Sequence, residues 1–457
     1  MAELTLAEII AITNGVPNQL SDLEIKPVGI SYDSRDTKQG DLFAAFVGQN
    51  SDGHDFVNAA IASGAVAALV SKPIASPSIL VDDVLLAITK LAAANRAKLD
   101  VPVLALTGSA GKTTTKDLLI DLLQPLGKVI ATTGSRNNEL GLPVTLFAAD
   151  KHTAAVVLEM GARHRGNIRE LCEIAKPTIV GITNIGSAHL GEFGSREMIM
   201  HTKGEIVELL PPSGIAVLNA DQPESMQIAR KTKARVQYAG FADSADLRIE
   251  NLKLDSTARC SFDLVTPLGE VRIKLKLVGE HQAHNAAIAA GMALAAGLSL
   301  EQAKHGLEAA VARSQMRLSV EKISNFIVID DSYNANPESV TAALTTLNQM
   351  ECSGKRIAVL GEMAELGEQS IELHQEIGSS AANLDLLIGV GDFGKLIISG
   401  AIQGGMAPEV VCLVETKELA ISKLKQELQS GDVVLIKASR SAGFDEIAGG
   451  LRNWAKG

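Results

Sequence analysis

Along most of the chain, short runs of Val, Ile, Leu and Ala alternate with longer stretches whose apolar residues recur at helical spacing. The runs VPVLALT (101–107), AAVVLEMG (154–161), TIVGITNI (178–185) and GIAVLNA (214–220) are apolar almost throughout. A strand with one wet face would alternate, so these read as strands covered on both faces, separated by helices. Their order predicts a parallel sheet with helices packed on it. A helix at 84–98 leads into this block, and helices at 281–296 and 299–312 close it. Within it, residues 246–278 change to period two, which predicts half-buried antiparallel strands.

The pattern differs on either side. Residues 1–83 open with a helical stretch at 4–14 and then alternate short apolar runs with Gly- and Asp-rich turns. They end in a helix at 55–63, a turn at Gly64 and a strand at 66–70. From about 316, the strands FIVIDD, RIAVLGE, LDLLIGVGD, VVCLVE and DVVLIKAS alternate with helices near 337–350, 370–382, 393–403, 416–429 and 443–455. That is the pattern of a doubly wound, Rossmann-like domain. The expected fold class is therefore α/β in three domains. These are a small α/β domain (1–83), a central parallel-sheet domain with an antiparallel patch (84–315), and a doubly wound C-terminal domain (316–457).

Composition narrows the partners. Of 457 residues, 46% are hydrophobic but only 3% aromatic, so the cores are aliphatic and broad base-stacking surfaces are not expected. The net charge of −11, with no long basic run, argues against a nucleic-acid partner. Cys172, Cys260, Cys352 and Cys412 form no C-x-x-C and read as reduced thiols of a cytoplasmic protein. The first residues carry no basic n-region, so no signal peptide is expected. The apolar stretch 285–300 is short for a membrane span and reads as a buried Ala-rich helix.

The candidate chemistry centres on TGSAGKTT, Thr107 to Thr114. Gly111, Lys112 and Thr113 fit the end of the phosphate-loop pattern G-x-x-x-x-G-K-[ST], but its first glycine falls on Leu106. With a strand before it and a helix after it, the loop aims backbone N–H groups and a helix N-terminus at an anion. Lys112 can reach terminal phosphates, and the Thr113 hydroxyl can bind Mg²⁺. No N-K-x-D guanine signature or fitting D-x-x-G switch accompanies the loop, which argues against a GTPase.

Other candidates carry two readings each. Glu159 ends a strand where ligands bind such sheets, as a metal ligand or a solvated carboxylate. His189, just past the next strand, is a metal ligand or a structural histidine. Lys203, on a helix, is most simply solvated. Asn137 and Asn138 precede a helix, either as loop caps or as substrate or phosphate contacts. Asp330 and Asp331 end a strand near Arg317; as neighbours they point to opposite faces, so only one can face a site. Asn336 or Ser332 is the expected cap of the helix that Pro337 begins.

Taken in order, TGSAGKT, EMGA, the His189 loop, Lys203, GEHQAHN, MR and DDSYNANPES resemble the Mur ligases, ATP-dependent amide-forming enzymes of bacterial cell-wall synthesis. The likeness covers essentially the whole chain. Residues 360–374 and 437–447 resemble the branch that adds D-alanyl-D-alanine to UDP-N-acetylmuramoyl-tripeptide, and the D-N-P-R signature of diaminopimelate-adding members is absent.

The resemblance implies roles. Thr107, Gly108, Ser109, Ala110, Gly111, Lys112, Thr113 and Thr114 would hold ATP. Thr113, Glu159, His189 and a carbamylated Lys203 would hold magnesium. Asn285 would lie near adenine, although Gln282 stands where the family often has Asn. Arg317 would reach the γ-phosphate and Asp331 the ribose. Ser34 and Arg35, in the first block, would contact the UDP end of the substrate. The implied protein is a monomer with no membrane partner. A different Mur-type ligase and a non-catalytic nucleotide-binding regulator stay as alternatives.

Overall fold

The computed structural model describes residues 4–48, 51–134, 136–314 and 316–455. Three sheets organise them, with five, nine and six strands. In the largest, Val103–Thr107 lies between Ile179–Ile182 and Thr153–Glu159, all parallel and buried at every position but the partly buried Ala154. Ile215–Asn219 and Arg235–Gly240 extend the sheet on one side, and Lys128–Ala131 closes the other. Uninterrupted apolar runs thus became central strands, because both of their faces are covered.

The period-two segment forms Leu247–Leu254, Arg259–Thr266 and Gly269–Val278, joined antiparallel at one edge of the same sheet. Residues there alternate between buried and wet along Arg259–Thr266, as the pattern required. The Ala-rich helix His281–Ala295 is buried along most of its length against this sheet. Among the described residues, no helix is long and apolar enough to cross a membrane.

The C-terminal sheet runs Ser319–Ile323, Phe326–Asp330, Val433–Lys437, Arg356–Leu360, Leu386–Val390 and Val411–Val414. Only its first pair is antiparallel. The helix Val84–Ala97 is shared between blocks. Its Val84, Ala87, Ile88 and Leu91 pack in one cluster with Leu6 and Ile9 of the N-terminal block and with Val144 and Phe147 of the central one. Between the central and C-terminal sheets, beyond the carboxyl ends of their strands, lies a cavity of about 880 Å³.

Candidate active site

The loop after Val103–Thr107 forms one wall of that cavity, which Ser109, Ala110, Gly111, Lys112, Thr113 and Thr114 line. Leu106, in place of the usual first glycine, is still strand, and its side chain is fully buried in the central core. The turn itself is confined to Gly108–Gly111. A Cβ on Gly108 would meet the Thr183 hydroxyl at 1.8 Å, and one on Gly111, where φ is +77°, would meet Asn285 Oδ1 at 2.4 Å. Both glycines are therefore required by close neighbours as much as by the turn.

Asn184, at the end of the adjacent strand, shapes the loop from the side. Its Oδ1 accepts from the amides of Ser109 (3.0 Å) and Ala110 (2.8 Å), while the Thr183 hydroxyl donates to the Ala110 carbonyl (2.5 Å). Sequence reasoning missed Asn184; its signal was a polar residue ending the apolar run TIVGITNI. Thr107 and Gly108 lie beneath the loop and do not line the cavity. The Thr107 hydroxyl donates to the Met160 carbonyl (2.8 Å).

Two lysines meet behind the turn. The Nζ atoms of Lys112 (2.6 Å) and Lys203 (3.1 Å) both donate to the Gly108 carbonyl. Lys203, on the helix Arg196–Glu208, is 2% exposed, so the simple expectation of a solvated lysine is overturned. Among the described residues no acid pairs with it. Burial pushes its amine well below the usual lysine range, and the nearby Lys112 adds to the shift. Burial also lowers Lys112, opposed by Glu159.

Glu159, 3% exposed, is held at both oxygens. Oε2 accepts from the Thr113 hydroxyl and Oε1 from the Asn137 amide, each at 2.9 Å. Asn138 Oδ1 accepts from Gly141 N (3.1 Å), so it caps the loop while also lining the cavity. His189 lines the cavity at φ +61°, with Nδ1 against Glu365 of the C-terminal domain. Burial lowers its pKa and Glu365 opposes that. Among the described residues, no three His, Cys, Asp or Glu side chains cluster to hold a metal.

Across the cavity, Arg317 lies between Met316 (φ +59°) and Leu318 (φ +47°), two left-handed residues that each cost about 1–2 kcal/mol. Its guanidinium stands 4.0 Å over the Tyr333 ring. Asp331 faces the cavity, but its oxygens are engaged: Oδ1 accepts from Leu318 N (3.0 Å) and Oδ2 from the buried Lys437 Nζ (2.5 Å). Burial raises its pKa against the pull of Lys437. Asp330 points the other way, to Ser332 (2.6 Å) and Arg452 (3.0 Å), as strand alternation requires. Of the two cap candidates, Asn336 caps the helix Pro337–Gln349 through Ser339 N, and Ser332 does not.

The same helix reaches across to the loop. Asn336 Nδ2 donates to the Ser109 carbonyl (3.3 Å), and the Glu338 carboxylate accepts from Ser187 N (2.7 Å) and from its hydroxyl. Asn285 lines the cavity with its Nδ2 donating to Gln282 Oε1 (2.9 Å), so the longer amide at 282 is used to hold Asn285. Ser34 and Arg35 lie outside the cavity, and the mostly exposed Arg35 pairs with Asp33 (2.6 Å). Arg136, another residue missed from sequence, stacks on Tyr32 at 5.3 Å and so ties that loop to the Asn137 segment.

His281, which begins the Ala-rich helix, is half-buried on the cavity wall, and its pKa is pushed down from 6.5 to about 4, by desolvation first and then by Lys437. The unfolded chain therefore takes up this proton before the folded one as pH falls. Stability from this group is full above about pH 6.5 and is lost between there and pH 4, by about 3 kcal/mol. Denaturant unfolding at pH 7.5 and 4 should show that loss in the wild type, and His281→Leu should lack it.

Sequence comparison agrees with this geometry. The "Mur ligase family, catalytic domain" pattern matches residues 27–105, the "Mur ligase middle domain" 106–293, and the "Mur ligase, glutamate ligase domain" 312–440. The UDP-N-acetylmuramoyl-tripeptide–D-alanyl-D-alanine ligase of Mycobacterium bovis is 39% identical, over 99% of this chain and 98% of its own. The crystal structure of MurF from Acinetobacter baumannii superposes with a TM-score of 0.89 at 33% identity, over 98% of this chain and 99% of that one. MurF ligase from Thermotoga maritima, solved in complex with ADP, gives 0.82 at 29% identity, over 94% and 98%. With near-complete coverage at these identities, and a phosphate loop facing a second α/β domain across one cavity, the chain belongs to the Mur ligase family.

Proposed function

We propose that this ligase uses ATP to join D-alanyl-D-alanine to UDP-N-acetylmuramoyl-tripeptide, giving the pentapeptide, ADP and phosphate in peptidoglycan assembly. One observation carries the reading: residues of two domains, the Lys112 loop and the Arg317–Asp331 segment, line a single cavity. ATP bound there presents its γ-phosphoryl group to the tripeptide carboxylate, whose oxygen attacks phosphorus as ADP leaves. The amine of D-alanyl-D-alanine then attacks the acyl carbon, loses a proton, and phosphate departs from the tetrahedral intermediate. Lys112 and Arg317 neutralise charge on the phosphoryl group in flight, and the amides at Gly111–Thr113, beyond the pair that Asn184 engages, fix its position.

The oxygen donors at Thr113 and Glu159 suit a hard cation. Magnesium, when bound, would neutralise phosphate charge and polarise the phosphoryl oxygens. His189 would complete that site, and a CO₂ adduct of Lys203 would put an anion beside it. Asp331 is reserved for the ribose, which its unused lone pairs can still accept. Ser34 and Arg35 would take the UDP end. One chain carries both walls of the cavity, which supports a monomer, and the free thiols fit a cytoplasmic setting.

Phosphate release with ATP, UDP-linked tripeptide and D-alanyl-D-alanine, omitting each in turn, tests the reading. Release should require all three. Turnover with diaminopimelate or glutamate instead would assign another Mur-type ligase, and nucleotide binding without turnover would leave a regulator.

Closure should depend on Glu338. Its charge-assisted bonds to Ser187 are worth about 1.5–3 kcal/mol. Glu338→Ala should therefore raise KM for ATP about tenfold, read from initial rates, and should expand the molecule in solution scattering with nucleotide present.

A further inference from the structure

We propose that Tyr333 is the positioning residue for Arg317, holding the guanidinium plane while leaving its edge free for an anion. Arg317 belongs to the segment between the central and C-terminal domains, where a long side chain would ordinarily sweep a wide arc. Here its two neighbours are both left-handed and neither is glycine. Such conformations persist only where the surroundings impose them. The imposing contacts come from one short segment: Tyr333 N donates to the Met316 carbonyl (3.0 Å), and Leu318 N donates to Asp331 Oδ1 (3.0 Å). Asp331 is itself anchored by Lys437. The same segment supplies the ring under the guanidinium.

The chemistry of that partner matters. A carboxylate would orient Arg317 but would occupy its N–H groups and cancel its charge. An aromatic face attracts the cation through its π-cloud and leaves the in-plane N–H groups unused. Among the described residues Arg317 makes no ion pair and its Nε finds no hydrogen-bond partner, while the residue lines the cavity. A guanidinium left without an acid partner there suits terminal N–H groups kept for phosphoryl oxygens.

This inference rests on the ligase reading for its kinetic test only. Tyr333→Phe should keep kcat within about twofold, because the ring face survives. Tyr333→Leu should lower kcat about tenfold with KM for the tripeptide unchanged. In an Arg317→Lys background, Tyr333→Leu should add little further loss. Equal loss in the Phe and Leu variants, or losses that simply multiply with Arg317→Lys, would overturn the proposal. Should Leu disturb folding, phenylalanines with one, two or three ring fluorines at 333 keep the shape while draining the π-cloud. Rates should then fall with each fluorine, and a flat series would refute the stack. Independently of turnover, the Arg317 Nε–H resonance, assigned through Arg317→Lys, should be shifted upfield by the ring in the wild type and in Tyr333→Phe. An unshifted resonance in the wild type would exclude the stack. An inactive wild type with the shift present would reject the ligase reading instead.

Discussion

Lys112→Ala should lower substrate-dependent phosphate release by at least about a thousandfold. The lysine begins the helix Lys112–Leu122 and lines the cavity, and among the described residues its one side-chain bond is to its own loop, at the Gly108 carbonyl. Removing it takes away a cation from a buried site without breaking a contact between elements, so the fold should survive. Charge is worth more there than in water, because few solvent dipoles compete with it. The measurement is phosphate release with all three substrates, with thermal unfolding as the control on folding. Near-normal turnover would remove the phosphate-loop assignment and the mechanism built on it.

Lys203→Ala should be similarly inactive, but for a different reason and with a different signature. Two lysines share one carbonyl behind the loop, and the deeper of them, Lys203, has no acid partner among the described residues. Burial, with Lys112 beside it, pushes the Lys203 amine well below the usual lysine range and so favours the neutral form that reacts with CO₂. Loss of an adduct, as opposed to loss of an amine, should be partly reversed by acetate or propionate, which can occupy the vacated space and restore the anion. Recovery of activity with added carboxylate, together with a labelled carbamate carbon in ¹³CO₂-equilibrated wild type, is the expected result. No rescue and no label would assign Lys203 to the scaffold.

Much of this site was legible because its parts sit on turns between strongly patterned elements. Strand, glycine turn and Lys112 are contiguous, so a local signal suffices. Glu159 and Asp331 end apolar runs, and a carboxylate there costs stability unless it is used or paired. The alternation that separated Asp330 from Asp331 needed only the pleat of a strand. Asn184, Glu338 and Lys437 escaped because their roles exist only across space. Asn184 matters through Ser109 and Ala110, Glu338 through Ser187 in another domain, and Lys437 through Asp331 on the neighbouring strand. The strands Lys128–Ala131 and Arg235–Gly240 escaped for a related reason, being only partly buried and so weakly apolar. The burial of Lys203 was not legible from the residue alone, because a lysine's isolated preference for water says nothing about the helix packed over it; only the family resemblance pointed to this position.

The phosphate loop takes its shape from partners scattered along the polypeptide. Asn184 is 75 positions from Ser109, Asn285 is 170 from Thr115, and Asn336 is 227 from Ser109. Closing such separations costs chain entropy before any contact rewards it. The finished shape of this loop and cavity is thus a property of the folded whole. A nascent chain still lacking its final lobe can lay down the central sheet, yet it lacks Asn336 on the loop and the opposite wall of the cavity.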